Sequence, residues 1–465
     1  MTETRGSADG GPANGRWLMV AVSVALFCVQ IDYFAINLAL PRMATDFDSR
    51  ATDLQWIVSI YMVALGALMV PGGRLADIFG RKRVLLTGIA VFGLASLLCA
   101  VAPSVATLVA FRAVQGAGAA LIFPASVSVI TNAFPPGQSG RMIGLAYGIA
   151  GLGNAAGPLI GGLLTQTVGW RWIFALNIPL TAACAIIGVF AISESRDSGA
   201  PRRIDVAGLA LLTTGIAVFT LTFDRAPAWG WWSAATVGAV AGAVALLGLF
   251  VIVERRVRWP LVDLSLVRDI RFTVLVAAGT IANIAYGVTI FLSTVYLQDA
   301  RGLDPLAAGL VFLGPSAGAA LGGVLSGRLA TQQPVRVMGL TTLLAAVSLG
   351  LLAVARDWAL YLPALTACGF SLGLVYAFTT VATQAVVSPQ RAGEAAGIAL
   401  TAMIAMGGVG VAVAGTMVER LHSGGMSTAG GIEAILAALA AALLPAGLLV
   451  LAVAHRTATP APVRC

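Results

Sequence analysis

The sequence predicts an all-α polytopic membrane protein with fourteen transmembrane helices, and three observations carry that prediction. Of 465 residues, 58% are hydrophobic and only 10% charged, with a mean hydropathy of +0.92. Soluble domains carry about 25% charged residues, so a water-soluble globular protein is excluded. The apolar residues gather into fourteen runs, each near the roughly 20 residues that a membrane-crossing helix needs. The basic residues alternate between dense and sparse connections, as expected if cytoplasmic loops hold the excess of Lys and Arg.

The first sixteen residues are polar and Gly-rich, and the apolar run after them has no small-residue cleavage site. That pattern reads as an uncleaved first span rather than a signal peptide. Six helices are predicted near 17–40, 54–74, 84–102, 106–131, 142–164 and 172–193. Two more follow near 204–223 and 232–253, then six near 272–298, 305–329, 337–355, 359–387, 395–418 and 432–454. Short connections rich in Pro, Gly and Arg join them, none long enough for a separate soluble domain. With both termini cytoplasmic, twenty of the 28 Lys and Arg fall in cytoplasmic segments and seven outside, while Arg112 lies within a helix. The densest internal clusters are Arg81–Lys82–Arg83 and Arg255, Arg256 and Arg258. Dropping any one helix inverts every later loop and spoils this bias.

Composition also excludes other classes. The net charge of +8 is spread singly between apolar runs, which argues for membrane orientation and against nucleic-acid binding. The five cysteines (Cys28, Cys99, Cys184, Cys368, Cys465) form no C-x-x-C pair, and only His422 and His455 are histidines. Neither a metal nor a cofactor is expected. Lys82 is the single lysine and does not stand in G-x-x-x-x-G-K-[ST], so no ATP-driven pump is expected within the chain.

An internal repeat runs through the sequence. G-R-L-A at 73–76 recurs at 327–330, Gly144 matches Gly397, and Gly116 matches Gly369 at nearly the same offset. Phe123 and Tyr376 stand seven positions beyond the last pair. The expected organisation is a tail over 1–16, a six-helix half over 17–193 and two inserted helices with flanking loops over 194–271. A second six-helix half over 272–455 and a tail over 456–465 complete it. Repeats of this kind place a substrate path at their interface near the midplane. Chance similarity between Gly/Ala-rich helices is the competing reading.

Four stretches carry the chemistry. At 73–83, G-R-L-A-D-I-F-G-R-K-R combines Gly73 and Gly80, which permit close approach and a tight turn, with Asp77 and Arg81. Asp77 can pair with Arg81 or cap a neighbouring helix N-terminus, making a charged latch between the halves. An ordinary positive-inside loop would need neither the acid nor the glycines at these spacings. At 108–120, Arg112, Gln115, Gly116 and Ala119 share one helical face. A buried arginine costs about 2.5–3.5 kcal/mol on insertion scales and therefore needs a partner. At 153–162, Gly153, Gly157 and Gly161 form a stripe for tight packing, and Pro158 provides a bend.

The fourth stretch, I-D-Y-F-A-I-N-L-A-L-P, places Asp32 inside the first apolar run. At ~1.5 Å per residue, Asp32 and Arg112 lie at similar depth, about 12 and 9 Å below the external ends of their helices. They are expected to pair, or to compete for a proton and a substrate; a static ion pair is the alternative.

Together these stretches resemble the major facilitator superfamily, and more narrowly its fourteen-helix drug:proton antiporters. W-R-W-I-F-A-L-N-I-P at 170–179, P-L-V-D at 260–263 and R-A-G-E-A-A-G at 391–397 extend the resemblance over nearly the whole chain. It implies the major facilitator fold, with Asp32 the acid of the first-helix motif and Arg112 the arginine linked to proton coupling. It also makes 153–162 the antiporter hinge and assigns Gly73, Asp77, Gly80 and Arg81 to the cytoplasmic gate. Tyr33 and Phe34 stand where a small hydroxyl residue usually follows the acid. Thr331 stands where the second copy of the gate would carry its acid.

The expected cavity wall comprises Gln30, Tyr33, Asn37, Tyr61, Gln115, Tyr147 and Asn154, with Asn283 and Tyr286 opposite. An aromatic, weakly polar lining suits lipophilic compounds. The expected function is proton-coupled efflux of a lipophilic small molecule, an antibiotic or dye, by alternating access from a bacterial inner membrane. A dedicated exporter of an endogenous metabolite or lipid is the alternative; a non-transporting sensor or scaffold is disfavoured. Sodium coupling stays open, although a sodium site usually needs several oxygen ligands, with Asn37 a candidate on the first helix. No intramembrane enzyme is expected, since no His, Ser/Lys or paired-acid constellation lies within the spans. The expected partners are the substrate, protons and the lipid bilayer, without nucleic acid, for a chain acting as a monomer.

Overall fold

A computed structural model describes residues 12–36, 39–49, 51–196, 205–258, 260–303, 305–329 and 333–458. These residues form helices joined by turns. The first half contains α1 (Pro12–Ala35), α2 (Leu40–Asp46), α3 (Ala51–Phe79), α4 (Arg81–Ala100), α5 (Val105–Ala133), α6 (Pro136–Thr167) and α7 (Arg171–Ala191). α8 (Val206–Trp229) and α9 (Ala234–Glu254) form a hairpin, followed by the short α10 (Leu264–Arg268). The second half comprises α11 (Ile270–Val295), α12 (Pro305–Val311), α13 (Leu313–Leu329), α14 (Pro334–Val354), α15 (Trp358–Ala385), α16 (Ala392–Ser423) and α17 (Thr428–Ala458).

Among the described residues, 14 helical segments are long and apolar enough to cross a membrane. Large apolar side chains such as Leu94, Leu163, Phe190, Val244 and Leu448 point outward, as a lipid-facing surface requires. In hydrocarbon the backbone must satisfy its own hydrogen bonds, which helices do.

Two boundaries differ from the sequence reading for identifiable reasons. The first span ends at Ala35 rather than near residue 40, and the chain restarts with Pro41 in the first turn of α2. Proline lacks the N–H that would bond the carbonyl four residues back, and its ring crowds that oxygen, so the helix does not run through it, whereas proline fits a first turn. The tenth span is two pieces meeting at Phe312. Pro315 lacks the N–H that would bond the Val311 carbonyl, and its ring crowds that oxygen.

The two halves repeat one packing scheme. α5 packs on α3 and α4, and α15 packs in the same way on α13 and α14; α6 lies on α1, and α16 on α11. Glycines at the repeat offset do the same work in both. A β-carbon on Gly116 would lie 2.5 Å from the Tyr61 carbonyl oxygen of α3, and one on Gly369 would overlap the Pro315 carbonyl of α13.

The glycine stripe of α6 is the surface on which α1 lies. β-Carbons at Gly153 and Gly157 would crowd the Phe27 carbonyl and the Phe34 side chain, and one at Gly161 would overlap Ala35 backbone. Because Ala35 ends the helix carrying Asp32, this contact sets the depth of that acid. Gly161→Ala is therefore expected to lower stability by about 1–3 kcal/mol, the usual cost of overpacking. Thermal unfolding in detergent measures it, and an unchanged midpoint would refute the close contact.

Across the halves α3 packs on α16 and α6 on α13. Thr401 donates to the Gly66 carbonyl at 3.2 Å, and a β-carbon on Gly148 would sit 2.7 Å from the Val324 nitrogen. These contacts lie toward the end of the molecule bearing Arg81, Lys82, Arg83, Arg196, Arg255, Arg256, Arg258 and Arg391, here termed the basic face. The α8–α9 hairpin does not separate the halves. α8 sits against both α3 and α16, over their seam, and the Trp231 indole donates to Thr416 at 2.8 Å.

Candidate functional site

Asp32, on the last turns of α1, is fully buried, as are Arg112 and Gln115 on α5 and Asn177 on α7. The Arg112 Nη1 donates to Asp32 Oδ2 and, at 2.7 Å, to Gln115 Oε1. Asp32 Oδ1 accepts from Gln115 at 2.9 Å and from Asn177 at 3.0 Å. Gln115 also donates to Ser96 of α4 at 2.8 Å. The three-residue step from 112 to 115 puts both α5 side chains on one face, and the carboxylate is thereby held from three directions.

The guanidinium is held from its other side by α3. Its Nε donates to the Ile57 carbonyl at 3.1 Å, and its carbon lies 4.1 Å from the Tyr61 ring centroid. That geometry is a cation–π contact, strongest when desolvated. Tyr33 stacks on Tyr61 with centroids 6.3 Å apart. Arg112 Nη2, the Tyr61 hydroxyl and Asn177 Oδ1 are buried without a hydrogen-bond partner among the described residues. Removing one member of a buried pair strands the other in low dielectric. A proton on Asp32 would do so, and would be felt at once by α3, α5 and α7.

A second charged assembly closes the basic face. Asp77, on the last turn of α3, accepts from Arg81 at 3.1 Å and from Ser128 of α5 at 3.2 Å. It also accepts the N–H groups of Gly393 (3.3 Å) and Glu394 (2.9 Å), in the first turn of α16. So one carboxylate both pairs with Arg81 and caps a helix of the other half, where the helix dipole favours negative charge. Arg81 reaches across to the carbonyls of Pro389 (3.2 Å) and Gln390 (2.9 Å). Gly73 lets α3 touch α16: a β-carbon there would overlap the Gly393 carbonyl. Gly80 adopts φ 117°, a region favouring glycine, and turns the chain so that Glu194 caps Lys82 and Arg83 at 3.1 and 3.2 Å.

Beside this latch, the 260–263 and 391–397 stretches meet. Buried Glu394 accepts the Asp263 N–H at 2.5 Å, Arg391 bridges Asp263 (2.8 Å) and Glu394 (3.6 Å), and Arg74 of α3 approaches Glu394 at 3.9 Å. Partial burial opposes ionisation of Asp263, but the Ser265 N–H and hydroxyl, Arg391 and Arg74 outweigh it. They hold its carboxyl below the usual carboxylate range. A depressed carboxyl keeps its contribution above its unfolded pKa and loses it only as pH falls into acid.

The remaining described residues named from sequence fall into four places. Tyr61 and Gln115 belong to the Asp32 centre. Gln30 donates to Asn154 at 2.7 Å, and the Tyr286 hydroxyl of α11 faces Asn154 across the halves. Tyr147 lies between Phe123 and Tyr376, centroids 6.5 and 5.6 Å away, so the repeat-related aromatics grip one ring. Asn283 donates to the Met403 carbonyl of α16 at 2.7 Å. Asn37 and Thr331 lie outside the described residues. Sequence reasoning missed Asn177, although an amide inside the apolar 170–179 stretch was the available signal. Ser96 and the Ile57 carbonyl had no signal at all.

A family model described as Major Facilitator Superfamily matches residues 22–402 and 272–463. The chain belongs to the Major Facilitator Superfamily. As a superfamily member it is 32% identical to the tetracenomycin C resistance and export protein of Streptomyces glaucescens, over 90% of this chain and 80% of that one. It is 34% identical to the multidrug resistance protein Stp of Mycobacterium tuberculosis, over 86% and 75%. The puromycin resistance protein pur8 of Streptomyces alboniger is also 34% identical, over 88% and 83%. The crystal structure of the human organic anion transporter MFSD10 has the same fold, with a TM-score of 0.69 at 15% identity. The match covers 94% of this chain and 99% of that one. The protein is accordingly a multi-pass membrane protein.

Proposed function

We propose that this protein exports a lipophilic small molecule, such as an antibiotic or dye, in exchange for protons by alternating access. The observation that carries the reading is the buried Asp32–Arg112–Gln115–Asn177 centre, and the resistance and export relatives support it.

In this reading the basic face is cytoplasmic and both termini lie inside. The latch at Asp77 holds the cytoplasmic side shut while the opposite side admits protons. A proton arriving at Asp32 neutralises the carboxylate and strands the Arg112 guanidinium, which no longer binds α1 to α5. α1 then shifts along the glycine stripe of α6, Asp77 leaves the α16 N-terminus, and the cytoplasmic side opens. The proton is released inside and substrate takes its place between the aromatic and amide side chains of both halves. The gradient contributes about 2.3 kcal/mol per charge per 100 mV.

Purified protein in liposomes with a trapped pH dye and an imposed gradient tests this. Adding lipophilic antibiotics, dyes and lipids is expected to trigger proton flux. No flux with any of them, from folded protein, would overturn the lipophilic-drug reading. A narrower range is favoured by relatives named for single antibiotics, and would appear as flux with one chemical class only.

A further inference from the structure

The α8–α9 hairpin holds two acids that the transport cycle leaves unused. Asp205 is the N-cap residue of α8 and Glu254 ends α9, so the antiparallel pair brings them together at the basic face. Glu254 is 3% exposed. Its Oε1 accepts the Val262 N–H. Its Oε2 and the Asp205 Oδ2 are both buried and receive no hydrogen bond among the described residues. The two oxygens converge over Gly208: a β-carbon there would lie 2.9 Å from Glu254 Oε2 and would overlap Asp205 Oδ2. Glycine leaves them the space, and no donor among the described residues enters it.

Two carboxylates this close, in low dielectric, cannot both remain charged; one proton shared between them satisfies both oxygens. Among the described residues, the charged groups near them are these. Arg255, Arg256 and Arg258 follow on the chain with exposed side chains. α3 contributes Arg74, which donates to the Pro260 carbonyl at 3.4 Å. Asp263, and Arg391 and Glu394 from the α16 side, engage one another.

We propose that Asp205 and Glu254 form a proton-binding site, separate from Asp32, that ties the inserted hairpin to the latch. The tie is a relay of carboxylates on backbone N–H groups. Glu254 holds Val262, Glu394 holds Asp263 at 2.5 Å, and Asp77 holds the Glu394 N–H at 2.9 Å. Losing the shared proton sets two negative charges against each other, pulls Glu254 from Val262 and slackens the 260–263 strap beside the α16 N-terminus. Alkaline pH at the basic face therefore loosens the latch and neutral pH tightens it.

Infrared titration of the full-length protein in nanodiscs tests the site without depending on transport. A protonated-carboxyl stretch is expected to titrate in the wild type and in Asp32→Asn, and to be lost in both Glu254→Gln and Asp205→Asn. Each variant keeps the shape of a protonated acid, so failure of one to fold leaves the other. Hydrogen–deuterium exchange at 255–264, corrected for intrinsic rates, is expected to rise with pH in the wild type and to stay flat in Glu254→Gln. A band that survives in the folded variants, or exchange in Glu254→Gln that follows the wild type, overturns the proposal. Loss of the band in Asp32→Asn alone would assign it to Asp32 and also overturn it. Failure of the antiport reading would leave these two readouts untouched.

Discussion

Asp32→Asn is expected to abolish substrate-driven proton flux while the protein still folds and inserts. The amide keeps the size of the carboxylate and can still accept from Gln115 and Asn177, whose donors stand at 2.9 and 3.0 Å. It cannot carry the proton, and it leaves the fully buried Arg112 without its counter-ion. Breaking a buried pair by removing one partner costs about 3–5 kcal/mol, so a lower unfolding midpoint accompanies the loss of flux. Arg112→Gln is expected to cost a comparable amount. The double variant should lose less stability than the two single losses combined, because residues in one network couple by about 0.5–3 kcal/mol, while its flux stays absent. A trapped pH dye and thermal unfolding of all four proteins measure the cycle. Flux that persists in folded Asp32→Asn would move the proton to another group, and strict additivity would show that the pair is not coupled.

Gly73→Ala is expected to hold the basic face open. The new methyl overlaps the Gly393 carbonyl, and backbone on both sides leaves no rotamer to relieve it. A penalty of about 1–3 kcal/mol on the closed arrangement shifts its population by about 5- to 150-fold. Export falls accordingly. Thr401→Cys, buried beneath the latch, is expected to react with a thiol reagent from the basic face in the Gly73→Ala background and not in the parent. Equal labelling in both would show that the contact does not hold the latch. Asp77→Asn should act in the same direction, since an amide cannot neutralise Arg81 and accepts the α16 N–H groups more weakly.

Asp77 and Arg81 were readable because each is a charge type held at a fixed spacing in an otherwise apolar chain. Their partners on the other half were not, because Pro389, Gln390 and Gly393 take part through backbone groups that any residue possesses. Asn177 shows the intermediate case: an amide in an apolar run signals a buried polar role, but its partner stands 145 positions earlier. Asn283 shows a further case: its donor reaches the Met403 carbonyl of another helix, a backbone group that leaves no mark in the sequence. The Asp205–Glu254 pair escaped notice because the two acids are far apart in sequence, each at the end of an apolar run, where charges are ordinary.

The sequence by itself determined the membrane class, the fourteen spans, the internal repeat and the buried charges Asp32 and Arg112. All of these follow from local quantities: run length, loop charge, offset identity and the cost of placing an ion in hydrocarbon. Tertiary structure alone decided which side chains share the Asp32 carboxylate, which helix Asp77 caps, and where the inserted hairpin rides. Those outcomes depend on close helix contacts at Gly73, Gly116, Gly161 and Gly369, where the absence of a β-carbon permits an approach but does not name the surface that will come near.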